Sequence, residues 1–271
     1  MDETEPPEPT DEDMDRRLSA LERVLGPVLR PGTDALRSGT DALKSVNDRV
    51  VAPAWQRATS IESRVPVMCA LAVAITLTAL LPARVANHPR WLLPGLAAIL
   101  FLIVLAVNPY KDPGRARQLR PLTFALLAVV SLGNAASAAR LVIDLVNGEG
   151  IHSADTLLLT GGAIWATNMI IFAIWYWEFD GGGPGGRAMN MKPLPDFLFP
   201  QMTLEASLVR EDWEPHFVDY LYLSFTNATA FSPTDVMPLT HWTKLTMMAQ
   251  SIVSLTVVVL VVARAVNVLG Q

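Results

Sequence analysis

Five apolar runs separated by short polar stretches constrain this chain more than any other feature: Val65–Leu81, Trp91–Val107, Pro121–Val146, Ala154–Trp177 and a final run of about Trp242–Val268. A helix needs about 20 mostly apolar residues to cross a bilayer. The first run is a little short of that, and the last is the longest and the richest in valine. Hydrophobic residues make up 51% of the 271 residues and charged residues only 17%, against about 25% charge in an ordinary soluble domain. The pattern predicts an all-α, polytopic transmembrane helical bundle of about five spans, with the lipid bilayer as its first partner. Trp91 and Tyr110 flank the second run, and Trp175-Tyr176-Trp177 closes the fourth, as aromatic belts at a membrane surface do.

The charge is concentrated outside these runs. The formal net charge of −5 comes mainly from the acidic opening, Met1 to Asp15. With no basic face and no recognition motif, nucleic acid is excluded as a partner. Residues 1–14 combine acidic residues with prolines and bury nothing, which predicts a disordered tail. The start is not a signal peptide, because no apolar stretch follows a basic opening. Residues 15–64 read as an amphipathic helical segment: Leu18, Leu21, Leu25, Val28 and Leu29 recur at helical spacing, and Pro31-Gly32 breaks the pattern. A duplicated heptad follows, Gly32–Ser38 and Gly39–Ser45, placing Leu36, Leu43 and Val50 seven apart. This fits a helix lying along the membrane better than a coiled-coil seam, since Gly39 weakens it. Arg49, Arg57 and Arg64 then lead into the first span, where they favour anionic headgroups.

Within the runs, polar residues are few. Gly133, Ala135, Ser137 and Ala139 let a neighbouring helix approach the third span closely, and Asn134 is expected to hydrogen-bond across the bundle. Arg140 and Asp144 lie four apart on one face, an intramembrane ion pair where a lone charge would be expensive. The glycine-rich Gly181–Gly186 ends the fourth run and lacks the Lys-Ser/Thr and βα context of a phosphate-binding loop. The single cysteine, Cys69, offers neither a disulfide nor a metal site. There is no nucleophile elbow, HExxH or metal-ligand cluster, so neither enzyme activity nor a cofactor is expected.

The most informative stretch is the last one. Phe217 to about residue 231 is aromatic, polar and too short to span at 1.5 Å per residue; Ser232-Pro233-Thr234-Asp235 breaks it, Pro238 follows, and a full span starts near Trp242. A half-length helix, a break and a whole helix is the layout of a re-entrant loop, which survives only where protein or water satisfies its backbone.

On these residues the chain resembles the pore region of two-span bacterial potassium channels. Tyr222, Ser224 and Phe225 match the pore-helix start, Thr229 a threonine of the filter approach, and Asp235, Pro238 and Thr240 the exit. Lys244 stands for a basic residue at the inner-helix start, and Val262-Ala263-Arg264 resembles its end. The likeness covers about 50 of the 271 residues. Where those channels carry Gly-Tyr-Gly, this chain has Ser232-Pro233-Thr234, with Ala230 before it. A proline and two β-substituted residues cannot line up successive carbonyls for a dehydrated ion as glycines do, so the resemblance implies a pore-like hairpin without a potassium filter. Asn227, Thr229, Ser232, Thr234, Asp235 and His241 are its candidate lining, His241 being the one poised to respond to pH. Most of residues 65–269 is also similar to a group of uncharacterised bacterial integral membrane proteins. The shared stretches are Trp175–Gly183, Phe197–Thr203 and Ser224–Asp235. That second resemblance brings no activity with it.

Lysines and arginines gather before the first span and in Asn108–Arg120, which predicts a cytoplasmic N-terminus; the resemblance to bacterial membrane proteins implies a bacterial inner membrane. The loop Glu178–Trp213 is then cytoplasmic too, so a channel-type loop dipping from outside conflicts with it. Phe217–Pro233 crossing as a short sixth span resolves the conflict, in preference to an inverted loop or a translocated N-terminus. The function expected is a non-catalytic membrane scaffold or interaction protein, its protein partner not identified by the sequence. The alternative is an ion-conducting or ion-sensing pore built by several copies around the hairpin; a secondary transporter ranks behind both, for want of an inverted repeat.

Overall fold

A computed structural model of the chain describes residues 53–57, 59, 62–86, 89, 91–107, 113–148, 153–192, 194–204, 208–229 and 235–269. The expectations for residues 1–14, for the duplicated heptad and for Ser232 and Thr234 fall outside the described residues.

The helices follow the apolar runs. They are α1 (Val65–Leu80), α2 (Leu92–Val107), α3 (Pro113–Val146), α4 (Ala154–Phe179), the short α5 (Pro184–Ala188), α6 (Phe217–Thr229) and α7 (His241–Leu269). Prolines set several boundaries. Pro66 sits in the first turn of α1, where a missing N–H costs nothing, and Leu81-Pro82 stops that helix. α3 begins eight residues before its apolar run, at Pro113, and carries Pro121 inside it. α4 ends because Gly181, Gly182 and Gly183 take φ of 61°, 86° and 84°, a region nearly closed to other residues.

Two short strands complete the fold. β1 (Phe197–Leu198) pairs antiparallel with β2 (Met237–Pro238), Phe197 opposite Pro238 and Leu198 opposite Met237. This pairing decides the path of the chain. α6 starts beside the end of α4, with the Phe217 and Trp177 rings 6.3 Å apart, and reaches only the level of Trp165, whose ring lies 6.0 Å from Phe225. By β2 the chain is back at the β1 level, and α7 starts there too, with Trp242 5.0 Å from Phe179. α6 and α7 therefore run side by side from one end, both antiparallel to α4. This corrects the expected sixth crossing: thirteen residues of α6 rise about 20 Å, and the chain returns to the end it left.

Arg64 at the head of α1 and Arg120 in α3 meet Glu178 at this same end. At the opposite end Arg140 of α3 donates to the Ala86 carbonyl. The larger buried core surrounds Tyr176, Trp177, Phe197 and Tyr220 near the first end. The smaller one joins Leu81, Leu141, Leu157, Ile164 and Val261 near the other. There α4 and α7 touch through Gly161: a Cβ built on it would lie 2.7 Å from Val261 Cγ2.

Among the described residues three helices are long and apolar enough to cross a membrane: Arg120–Val146, Ala154–Ala188 and His241–Val268. α1 and α2 have 16 residues each, about 24 Å of helix against a hydrocarbon core of about 30 Å.

Candidate functional site

The densest polar chemistry lies where α4 gives way to the glycine turn, and Asp180 is its hub. Its Oδ1 accepts the N–H groups of Asp196 (2.7 Å) and Phe197 (3.2 Å), and its Oδ2 the Tyr220 hydroxyl (2.6 Å). Asp196 reciprocates, accepting Gly181 N–H at 3.0 Å and Lys192 Nζ at 3.2 Å on Oδ2, and Trp242 Nε1 at 3.3 Å on Oδ1. Two buried carboxylates thus clamp the turn to the β1 segment and to the heads of α6 and α7. Buried charges persist when donors satisfy them in this way.

Arginines complete the cluster. Arg187 Nη1 donates to the carbonyls of Trp177 (2.7 Å) and Asp180 (2.9 Å), and its guanidinium rests over the Trp177 and Tyr220 rings at 5.8 and 5.0 Å. Arg64, 5.5 Å from the Trp177 centroid, pairs through Nη1 with Glu178 Oε1 at 3.5 Å; their side chains are 7% and 1% exposed. Arg120 Nη2 donates to the Glu178 carbonyl at 2.9 Å. Glu62 accepts Trp177 Nε1 at 2.6 Å and the Phe217 N–H at 2.8 Å, which caps α6. Two expectations are corrected here. Arg64 is buried against Glu178 instead of reaching outward to headgroups, and Tyr176 and Trp177 are fully buried with their polar tips bonded inside the protein. The aromatic run is a core element, because two partners more than 70 residues away in sequence supply acceptors for it.

Below the cluster a polar seam runs between α4, α6 and α7. Gln250 Oε1 accepts the Tyr176 hydroxyl (2.6 Å) and Asn227 Nδ2 (2.8 Å), and its Nε2 donates to the Ser224 carbonyl (2.9 Å) and Oγ (2.7 Å). Ser224 passes the chain on to the Met169 carbonyl at 2.6 Å. Deeper, Asn168 Nδ2 donates to Ser254 Oγ at 2.9 Å.

The candidate lining residues are dispersed. Asn227 is held in the seam, also donating to the Met247 carbonyl at 3.0 Å. Thr229 bonds back to Thr226 in its own helix at 2.8 Å. Asp235 and His241 are exposed at the head of α7. Arg140 and Asp144 lie on the same helix at the far end. The expected ion pair between them is absent among the described residues, because Arg140 turns to the Ala86 carbonyl that ends the α1 connection. Asn134 is buried, and its Oδ1 makes no hydrogen bond, in place of the expected bond across the bundle. Cys69 is a free, exposed thiol.

What the residue pattern missed is the charged cluster itself. Glu178 and Asp180 flank the glycine turn, but nothing local tells that their partners Arg64, Arg120 and Tyr220 come from three other segments. No group of three or more metal-ligating side chains occurs among the described residues. Comparison with protein-family models, with curated proteins and with solved structures finds no match.

Proposed function

We propose that the protein is a non-catalytic integral membrane scaffold whose last two helices hold a pore-like hairpin closed by hydrogen bonds. One observation supports membrane insertion above the rest. Of the three long helices the most apolar, α7, is the least buried: 28% of its most apolar stretch lies inside the protein, against 56% for that of Ala154–Ala188. Soluble proteins bury such surface. α1, packed on α4, and α2, packed on α3 and α1, then cross as short spans beside the three long helices, giving five crossings. α6 is a re-entrant helix entering from the side that carries Arg64 and Arg120, which the positive-inside rule makes cytoplasmic. The scaffold half of the reading rests on Gln250, whose four bonds to Tyr176, Asn227 and Ser224 are spent joining helices.

The second reading, an ion-conducting or ion-sensing pore formed by several copies, is favoured by the half-depth return of α6 with Asp235 and His241 exposed at its mouth. Two measurements separate these. Membranes washed at alkaline carbonate pH should retain the chain in the pellet; release into the supernatant would refute insertion. Proteoliposomes should pass no more cations than protein-free liposomes, and a flux that disappears on Asp235→Ala would favour the pore over the scaffold.

A further inference from the structure

A cavity of about 210 Å³ opens between the glycine turn and the heads of α1 and α3, lined by Arg64, Arg120, Glu178, Gly182, Gly185 and Lys192 among others. We propose that it binds a phosphate-class anion.

Charge orientation is the first argument. Four carboxylates surround the turn, but three are engaged elsewhere. Glu62 holds Trp177 and Phe217, Asp180 holds Asp196, Phe197 and Tyr220, and Asp196 holds Gly181, Lys192 and Trp242. Only Glu178 lines the cavity. With Lys192 offset by Asp196, the wall carries Arg64 and Arg120 against Glu178, a formal sum of two minus one, or +1.

Unspent donors are the second. Arg64 is 6% exposed, yet its Nε–H has no acceptor, and neither has that of Arg120. Buried guanidinium donors without partners are uncommon, and the planar fork of arginine matches phosphate oxygens better than any other side chain does. Shape is the third. A Cβ on Gly185 would meet nothing within 4 Å, and its backbone needs no positive φ. Its missing side chain serves neither packing nor a turn there; it keeps the cavity open. The volume lies below the roughly 300–1,000 Å³ of pockets for drug-sized ligands, a size suited to a headgroup or a small anion.

The phosphate can belong to a phospholipid headgroup or be a free ion. The lipid source rests on the membrane insertion proposed above; recognition of the phosphate group does not. Met189 and Met191, exposed beside the cavity, give an acyl chain an apolar lip.

The test uses the full chain purified in detergent, with binding read by native mass spectrometry and by thermal protection. The probes are phosphatidylglycerol, phosphatidylcholine and inorganic phosphate. Wild type should take phosphatidylglycerol or inorganic phosphate in preference to phosphatidylcholine. Arg120→Gln should weaken that binding about tenfold or more, the value of a charge-assisted bond. Gly185→Leu fills the space without touching a charge and should do the same while leaving the unfolding midpoint in place, so a folding defect in Arg120→Gln does not decide the matter. Phosphatidylglycerol that phosphate fails to displace identifies the lipid as the source, and saturation by phosphate alone identifies the free ion; either supports the site. No binding above phosphatidylcholine, or binding that both variants leave unchanged, overturns it. Carbonate extraction reports separately on insertion, so failure of that reading is told apart from failure of the site.

Discussion

The Tyr220 hydroxyl donates to Asp180 Oδ2 across 2.6 Å, joining the first half of α6 to the turn that ends α4. Both residues are buried, and Arg187 lies over the Tyr220 ring at 5.0 Å. A single bond thus fixes a short helix to the loop on which two clamped carboxylates converge.

Tyr220→Phe isolates that bond, because the ring and its contact with Arg187 are kept. Asp180 Oδ2 loses its donor in a buried site, at a cost of about 1.5–3 kcal/mol. The unfolding midpoint in detergent should fall accordingly. A midpoint equal to wild type would mean that the carboxylate finds another donor and that α6 is held by its other contacts.

Gln250 should behave as the centre of a coupled network. Asn227→Ala and Gln250→Ala each remove the bond between them, so the double variant should lose less stability than the sum of the singles. A coupling of about 0.5–3 kcal/mol is expected for contacting residues in one network, read from a cycle of four unfolding measurements. Strict additivity would show that the two side chains act independently and would withdraw the seam as the lock on the hairpin.

The helices were legible because their cause is local. Apolar runs, and the prolines and glycines that end them, place α4 within two residues of the expected Ala154–Trp177 and α7 within one of Trp242–Val268. The same reasoning drew α6 as a half-length helix from Phe217. The site was not legible, because its cause is long-range. Trp175-Tyr176-Trp177 has the composition of a surface belt, and only Glu62, 115 residues away, and Gln250, 74 away, turn it inward. Arg140 and Asp144 show the converse: helical spacing permits a pair, but a carbonyl in the α1–α2 connection claimed the arginine. The stretches Trp175–Gly183, Phe197–Thr203 and Ser224–Asp235, which carry the second resemblance, show no local sign of why they belong together. In the fold Tyr176 packs 5.1 Å from Phe197 and meets Asn227 through Gln250, so described residues of all three stretches share one packed unit.

The return of α6 to its starting end predicts a labelling pattern. In a Cys69→Ser background, cysteines at Met191, Asp235 and Ser153, all exposed, report the two ends of the bundle. Met191 and Asp235 should react with an impermeant maleimide from one side of the membrane and Ser153 from the other. Asp235 reacting together with Ser153 would restore the sixth crossing and contradict the β1–β2 pairing.

Two adjacent glycines in α4 should respond oppositely to the same change. At Gly161 an added methyl would sit 2.7 Å from Val261 Cγ2 and 2.9 Å from Cγ1, both on a β-branched side chain with little freedom to move. Gly161→Ala therefore forces α4 and α7 apart, and overpacking of this kind costs about 1–3 kcal/mol. At Gly162 the same methyl meets nothing within 4 Å, and replacing glycine by alanine inside a helix gains about 0.5–1 kcal/mol. The unfolding midpoint should fall for Gly161→Ala and rise for Gly162→Ala. Adding Val261→Ala to the first variant should recover most of the loss, since it removes both clashing methyls. If Gly161→Ala is as stable as Gly162→Ala, α7 is free to slide on α4, and the close contact at that end of the bundle is not what holds the last helix in register.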